Sequence, residues 1–365
     1  MDIKISRIEE ATSEQWDTVV NQCDYATFFH SRGWAEIWEE YRNGKLRSVA
    51  KYITFNDGVE VLFPIMVQKI SRGLLKQYMS GPEWQYGGWL SLHTLNEKHH
   101  NALLAYSYKL SLIFRQNPFD KSFPTDKVPW NDIDYTQVLD LRQGFDSIRN
   151  NWLTEHRSAV RNAERAVKAG VTLEEGITEA DWQAYYRIYE LAVVRWGDNL
   201  KGEKFDWRLY DLILKRRTKN VKLWIVKLDN KIIGGAIRFY QNKHVMSWNK
   251  AILRDYAKSY ASNLLDYELI KHSCESGYWW YDLDTSAGLE GVIAYKTSLG
   301  TTQLSANVLV NESAMKRLSN PFRTALLSMS QKLSKPFHKS EDLTRDLDAG
   351  YSGKIEEQNR LEVPR

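Results

Sequence analysis

The stretch from residue 221 to residue 252 constrains the fold of this chain more than any other. It holds three strand-forming runs, VKLWIVKL, KIIGGAIRFY and HVMSWNKAI, rich in β-branched and aromatic residues. Only Asp229-Asn230 and Gln241-Asn242-Lys243 separate them. Separators that short fit hairpins, so the three runs form an antiparallel meander. A helix over about Ser262 to Ser276, stopped by Gly277, comes next. The strand YWWYDLD, the glycine-broken loop TSAGLEG, a helix opening within VIAYKTSLG and a strand in LSANVLV complete the pattern.

The first 145 residues also alternate strand, loop and helix. ATFFHSRGWAEIW reads as a loop feeding a helix, and SVAKYITF and GVEVLFPIMVQK as a hairpin around Asn56-Asp57-Gly58. GLLKQYMSGPEWQYGGWLSL has no period and reads as a pocket-lining loop, whereas NEKHHNALLAYSYKLSLIFRQN returns to helical spacing. One long helix is expected from Ser147 to Ala169, with Ile148, Trp152, Val160, Ala163 and Val167 on its apolar stripe and Gly170 ending it. DWQAYYRIYELAVVRW supplies a second helix. A chain of 365 residues exceeds what one core usually serves, so two packed units are expected. A C-terminal amphipathic helix, interrupted at Pro321, and a flexible tail are assigned to 311–365.

With 43% apolar and 13% aromatic residues the chain is globular. A net charge of +4 means that an anionic partner is gripped by a local patch. The charge neither implies nor excludes nucleic acid; no DNA partner is expected, and tRNA stays open. Cys23 and Cys274 lack metal or redox spacing and read as reduced core residues. The eight histidines, including the adjacent His99 and His100, have no ligand spacing, so no metal is expected. There is no Walker loop, dinucleotide fingerprint or nucleophile elbow. A charged start, MDIKISRIEE, and the lack of a long apolar run give a cytoplasmic location, with membrane contact at most peripheral.

Three segments, in order, carry a resemblance: WLTEHRSAVRNAERAVKAGV, WIVKLDNKIIGGAIRFY and SYASNLLDYELIKHSCESGYWWYDLDTSAGLEGVIAYKTSLGT. They resemble the acetyltransferase-like domain shared by the Fem aminoacyl transferases and the GNAT-fold acyltransferases of polysaccharide gene clusters. FFHSRGWAEIW and QYGGWLS look like the first domain of that family, so the resemblance runs over about residues 25 to 310. It implies an α/β (α+β) fold of two GNAT-like domains in tandem, each a mixed, mostly antiparallel sheet flanked by helices. They are expected at 1–145 and 146–310, the second carrying the site. The implied reaction transfers an acyl group from an acyl-CoA cosubstrate to an amine or hydroxyl of an amino sugar, glycan, nucleotide sugar or cell-envelope precursor. No permanently bound cofactor is implied. The alternatives are a Fem-like peptidyltransferase using aminoacyl-tRNA, and a non-catalytic binding module in a surface-polysaccharide system.

In YWWYDLD residues two apart share a face, so Asp282 and Asp284 point to one side. Either acid can accept the acceptor's proton or orient it, with Asp282 favoured; alternatively one of them caps the following turn. Tyr295 and Lys296 are expected just inside the next helix, where a first-turn lysine conflicts with the helix dipole. The resemblance matches them to an aromatic-lysine pair near the reacting groups, with Tyr295 able to protonate the leaving group. The carboxyl of Asp282 and the ammonium of Lys296 are thus expected to face one solvent-reachable hollow. RDYAKSYASNLL lacks the glycines of a standard CoA loop, yet Lys258, Ser259, Ser262 and Asn263 can present donors to phosphate. Trp248 floors an acceptor pocket or fills core, and Tyr86 and Gly87, with Gly88, line a sugar or nucleotide site. Arg157, Arg161 and Arg165, four apart, form either a solvated basic face or a phosphate-holding row.

Overall fold

A computed structural model describes residues 2–70, 75–82, 85–196, 204–286 and 289–311. β1 (Ile5–Glu10) leads into α1 (Ser13–Gln22), and α2 (Arg32–Tyr41) begins where the Ser31 hydroxyl accepts the Trp34 amide at 3.2 Å. Five short strands follow: β2 (Leu46–Ser48), β3 (Lys51–Phe55), β4 (Glu60–Phe63), β5 (Met66–Ile70) and β6 (Leu75–Met79). β3 and β4 pair around the expected turn, with Gly58 at φ 86°. α3 (Glu97–Ser107) then precedes β7 (Leu112–Arg115). The helical spacing read into this stretch therefore ends at Ser107. LIFR becomes a strand because alternate residues Leu112 and Phe114 enter a core with Phe63 and Trp89.

The second half opens with β8 (Tyr135–Asp140), α4 (Phe145–Thr154) and α5 (Arg157–Lys168). The single helix expected from Ser147 to Ala169 is thus two, broken at Glu155-His156. The Thr154 hydroxyl donates back to the Asn150 and Asn151 carbonyls, and His156 leaves helical geometry at φ −130°. The break lets each piece aim its own stripe. Trp152 donates to the Leu299 carbonyl at 2.8 Å, while Ala159, Val160, Ala163 and Ala166 face α8, and Val167 is left exposed. β9 (Thr172–Gly176), α6 (Glu179–Trp196) and α7 (Trp207–Lys215) lead to the meander β10 (Val221–Leu228), β11 (Lys231–Gln241) and β12 (His244–Ile252). Its tight turns put Asp229, Asn230 and Asn242 at positive φ, which these residues tolerate. α8 (Ala261–Glu275), β13 (Trp280–Thr285), α9 (Glu290–Thr297), β14 (Thr302–Ser305) and β15 (Val308–Val310) complete the described chain.

The strands form three sheets: β1-β3-β4, β15-β7-β6-β5-β2 and β14-β8-β13-β12-β11-β10-β9. The fold is the expected mixed one, with mostly antiparallel sheets flanked by helices, but the strands do not respect sequence divisions at 145 and 310. β8 pairs in the seven-stranded sheet, and β15, directly after β14, pairs in the five-stranded one. LSANVLV is therefore two strands in two sheets. One core lies between the large sheet and α5 and α8; a second joins its other face to α6, α7, α1 and α2. Both cysteines are free, Cys23 buried and Cys274 half-buried. Among the described residues no helix is long and apolar enough to cross a membrane. The expected C-terminal helix and tail, beyond Asn311, lie outside the described residues.

Candidate active site

β12 and β13 run parallel, and they pair only where His244, Val245 and Met246 face Trp280, Tyr281 and Asp282. Past that point the two strands carry no ladder between them, and a gap opens in the middle of the sheet. Both strands are irregular there. In β12, Ile237 faces Asn249 and Arg238 faces Ser247, so Trp248 has no opposite residue in β11. Such a bulge reverses the alternation of side chains beyond it. Trp248 stays on the α7 side, against Trp34, Phe205, Tyr210 and Phe239, whereas Lys250 emerges on the α8 side. In β13, Asp284 adopts φ 64°, a left-handed conformation that breaks the register with β8.

On the α8 side, Asp266 is fully buried and takes three donors. Its Oδ1 accepts from Arg238 at 3.1 Å, and its Oδ2 accepts from Lys250 at 2.5 Å and from the Tyr295 hydroxyl at 2.7 Å. Arg238 also donates to the Tyr281 hydroxyl at 2.8 Å. Although burial opposes charge on Asp266, the Lys250 and Arg238 cations hold its carboxyl below the usual range. Burial and the nearby Arg238 lower Lys250, against the pull of Asp266. Tyr295 is raised well above the ordinary phenol range by burial and by the Asp266 charge.

On the other side, Asp282 is enclosed. It is 0% exposed, with Oδ2 accepting the Tyr86 hydroxyl and Oδ1 accepting the Thr136 hydroxyl at 2.5 Å and the Asp284 amide at 2.7 Å. Burial first, then the Asp284 charge, pushes its carboxyl up to about 6. The expected solvent-reachable hollow between Asp282 and Lys296 therefore does not include the Asp282 carboxyl, because a loop from the first half of the chain covers it. Nor do Asp282 and Asp284 simply share a strand face, since the left-handed turn intervenes. Asp284 is half-buried, and one of its oxygens accepts the Thr285 amide at 2.7 Å.

Lys296 sits in the last turn of α9, not the first, because the helix already begins at Glu290. Both residues suit the dipole there, so the conflict inferred from the sequence disappears. Lys296 is 7% exposed, and its ammonium donates to the Asp284 and Thr285 carbonyls, each at 2.8 Å. An ammonium has three N–H donors, and among the described residues no acceptor takes the third. Burial lowers its pKa to about 8, against the neighbouring Asp284 and Asp282 charges.

The remaining sequence candidates fall into three places. Lys258, Ser259, Ser262 and Asn263 bracket the start of α8, where Tyr260, at φ 56°, occupies the conformation a glycine would favour. The Ser259 hydroxyl is already used on the Tyr256 carbonyl at 2.7 Å. Tyr86 is buried against Asp282 and Phe29, not lining an open sugar site, and Gly87 packs so tightly that a Cβ would lie 1.8 Å from the Ser80 carbonyl oxygen. Arg157, Arg161 and Arg165 are exposed along α5, with Arg165 over the Tyr260 ring. A groove of about 490 Å³ between α4 and α8, lined by Phe145, Arg149, Tyr267 and Lys271, shares no residue with the gap. Lys250, Asp266, Arg238 and Thr136 escaped the sequence reading. For Asp266 a signal exists, an acid inside the buried stripe Leu265, Leu269 and Ile270.

Residues 154–297, which hold the meander, the gap and both lysines, match the family model described as an acetyltransferase (GNAT) domain. These residues are a GNAT-fold transferase domain, and the fold of the chain is Fem-like. No curated protein matches it. The solved structure of FemX is similar over 86% of this chain and 99% of its own, at 13% identity and a TM-score of 0.66. A conserved protein of unknown function from Bacteroides thetaiotaomicron is similar over 82% and 98% of the two chains, at 13% identity and 0.52. A C-terminal domain attributed to a lysylphosphatidylglycerol synthetase from Agrobacterium fabrum follows at 14% identity and 0.50, over 88% and 96%. These likenesses carry the fold, and the family match over residues 154–297 makes acyl transfer the general reaction class. Among the described residues no three His, Cys, Asp or Glu side chains converge as a metal site.

Proposed function

We propose that the transferase moves an acyl group from an acyl-CoA thioester to an amine or hydroxyl of an amino sugar, nucleotide sugar or other glycan precursor of the cell envelope. The third N–H of Lys296 carries this reading. An ammonium fixed by two carbonyls at the edge of a gap, with one donor left over, is a pre-organised partner for the oxyanion of a tetrahedral intermediate. Asp284, half-buried beside it and raised by burial, accepts the proton that the acceptor sheds. Tyr295 protonates the departing thiolate. Asp282 acts from behind: by accepting the Asp284 amide it holds the left-handed turn that offers two carbonyls to Lys296.

The two faces of the gap suit two substrates. On the α8 side Lys258, Ser259, Ser262 and Asn263 are the donors available to the phosphates of CoA. On the α7 side the half-buried Trp248 ring lies beside Asn249, which is held between the Tyr185 and Tyr210 hydroxyls at 2.8 and 3.0 Å. A flat ring next to a fixed amide fits a sugar. The reading requires a compartment that supplies acyl-CoA, the cytoplasm.

One observation favours a second reading with aminoacyl-tRNA as donor. Arg157, Arg161 and Arg165 form an exposed basic row that meets the start of α8 at Tyr260, and no glycine there lets the backbone close on a pyrophosphate. Thermal shift separates the two. Acetyl-CoA and free CoA should raise Tm, and Lys258→Ala should weaken that shift. Salt-sensitive stabilisation by an aminoacylated RNA minihelix, with no response to CoA, would transfer the assignment to tRNA; no response to either would overturn both.

A further inference from the structure

Lys250 has no part in the steps above, yet its ammonium stands 3.3 Å from the Tyr295 oxygen and 4.4 Å from the centre of its ring. Asp266 fixes both groups from one carboxylate oxygen. The Tyr295 hydroxyl has one proton and two acceptors for it, Asp266 and the Ser262 carbonyl at 3.1 Å. Neither of those can return a proton once it has been given away. The donors that reach the oxygen are the Lys250 ammonium and, at 3.4 Å, the Ser262 hydroxyl. Of the two, the ammonium is by far the stronger acid, and burial lowers its pKa further.

Charge balance points the same way. Arg238 and Asp266 are both fully buried and neutralise each other, so Lys250 is a surplus positive charge. Arginine does not release its proton in a protein, whereas lysine does. The charged or titratable groups around Lys250 are Asp266 from α8, Arg238 from β11, and Tyr295 and Lys296 from α9. With 22% of its side chain exposed, Lys250 can exchange protons with solvent. A phenolate left at Tyr295 would need a cation and a proton source beside it, and Lys250 is both.

We propose that Lys250 positions and recharges Tyr295, passing a proton through its hydroxyl to the departing group. This rests on the acyl-transfer reading above. The acceptor atom bonds to the acyl carbon and its proton goes to Asp284. The bond from that carbon to the donor's sulfur breaks, its electron pair stays on sulfur, and the thiolate takes the Tyr295 proton. The phenolate then takes one from Lys250. Lys250 is reprotonated by solvent at its exposed edge as Asp284 releases its own, so acyl donor plus acceptor becomes acylated acceptor plus thiol.

Two donors that differ only in the leaving group test this, acetyl-CoA and p-nitrothiophenyl acetate, with glucosamine as acceptor. The p-nitrothiophenolate is far less basic than the CoA thiolate and leaves without a proton. Lys250→Arg, which keeps the charge but supplies no proton, and Lys250→Met should each slow transfer from acetyl-CoA tenfold or more while leaving p-nitrothiophenyl acetate within about threefold of wild type. Equal loss with both donors means that Lys250 only supports the structure, and wild-type rates with both mean that it has no part; either result overturns the proposal. If the wild-type protein uses neither donor, the acyl-CoA reading itself fails, and the proton supply built on it fails too.

Discussion

Among the described residues parallel strands meet in two places, and these are finished in opposite ways. In the five-stranded sheet β6 and β7 pair at Tyr78 with Leu112 and at Met79 with Ile113. The space beyond is filled by the chain itself: Gly87 donates to the Arg115 carbonyl at 3.2 Å, and the Ser80 hydroxyl accepts the Arg115 amide at 2.9 Å. In the seven-stranded sheet β12 and β13 part after Met246 and Asp282, and Lys250 and Lys296, each with a donor that no described residue takes, stand at the opening. A gap sealed by backbone hydrogen bonds has nothing left to offer a ligand. A gap edged by ammonium groups held at two points each has one direction still open. The same loop links the two, since it seals the first gap through Gly87 and backs the second through Tyr86.

The contrast is most sharply broken at Gly87. A Cβ there would meet the Ser80 backbone oxygen at 1.8 Å, so Gly87→Ala should destabilise the protein by about 3 kcal/mol or more, read as a lower urea midpoint. Wild-type stability would mean that the seal is loose. A similar effect, dependent on pH, is expected at Asp282. Its folded-state carboxyl titrates at about 6 against an ordinary 3.8, so the folded protein binds that proton more tightly than the unfolded chain. Its contribution is greatest below pH 4 and is lost as pH rises to 6, on the order of 3 kcal/mol over the interval. Asp282→Asn should flatten that part of the stability profile; a slope equal to wild type would assign it elsewhere.

Smaller effects are expected at the open gap. Lys296 must be charged to meet an oxyanion, so the transfer rate should decline as pH rises through about 8. A rate that climbs steadily to pH 10 would instead make Lys296 a base. The smallest change belongs to the basic row on α5: Arg157→Ala and Arg161→Ala should alter stability by less than about 0.5 kcal/mol, because both side chains are exposed. If the donor is RNA, however, those substitutions should reduce the salt dependence of its binding.

The meander and the helix after it were legible because their signals are local: short separators, β-branched alternation and a glycine stop. The fold class came from the family resemblance that those elements, in their order, carry. What escaped was non-local or a matter of one residue. The bulge at Trp248 shifts Lys250 to the opposite face, and no composition marks it. The left-handed Asp284 does the same to β13. Asp282 was read as the open acid because nothing in YWWYDLD reveals that Tyr86, almost two hundred positions earlier, donates to it. The break at Glu155-His156 lies between two stripes that continue one period, so spacing alone joins them. Lys296 was expected in the first turn of its helix but lies in the last, since Glu290 begins the helix before the apolar residues do.

The central claim is that the ammonium of Lys296 meets the charge developing on the acyl oxygen. Steady-state transfer from acetyl-CoA by Lys296→Met, with folding checked by thermal unfolding, tests it most directly. A kcat lower by a hundredfold or more, with KM for the donor changed little, is the result the geometry requires. A variant that is folded and turns over at the wild-type rate would contradict it.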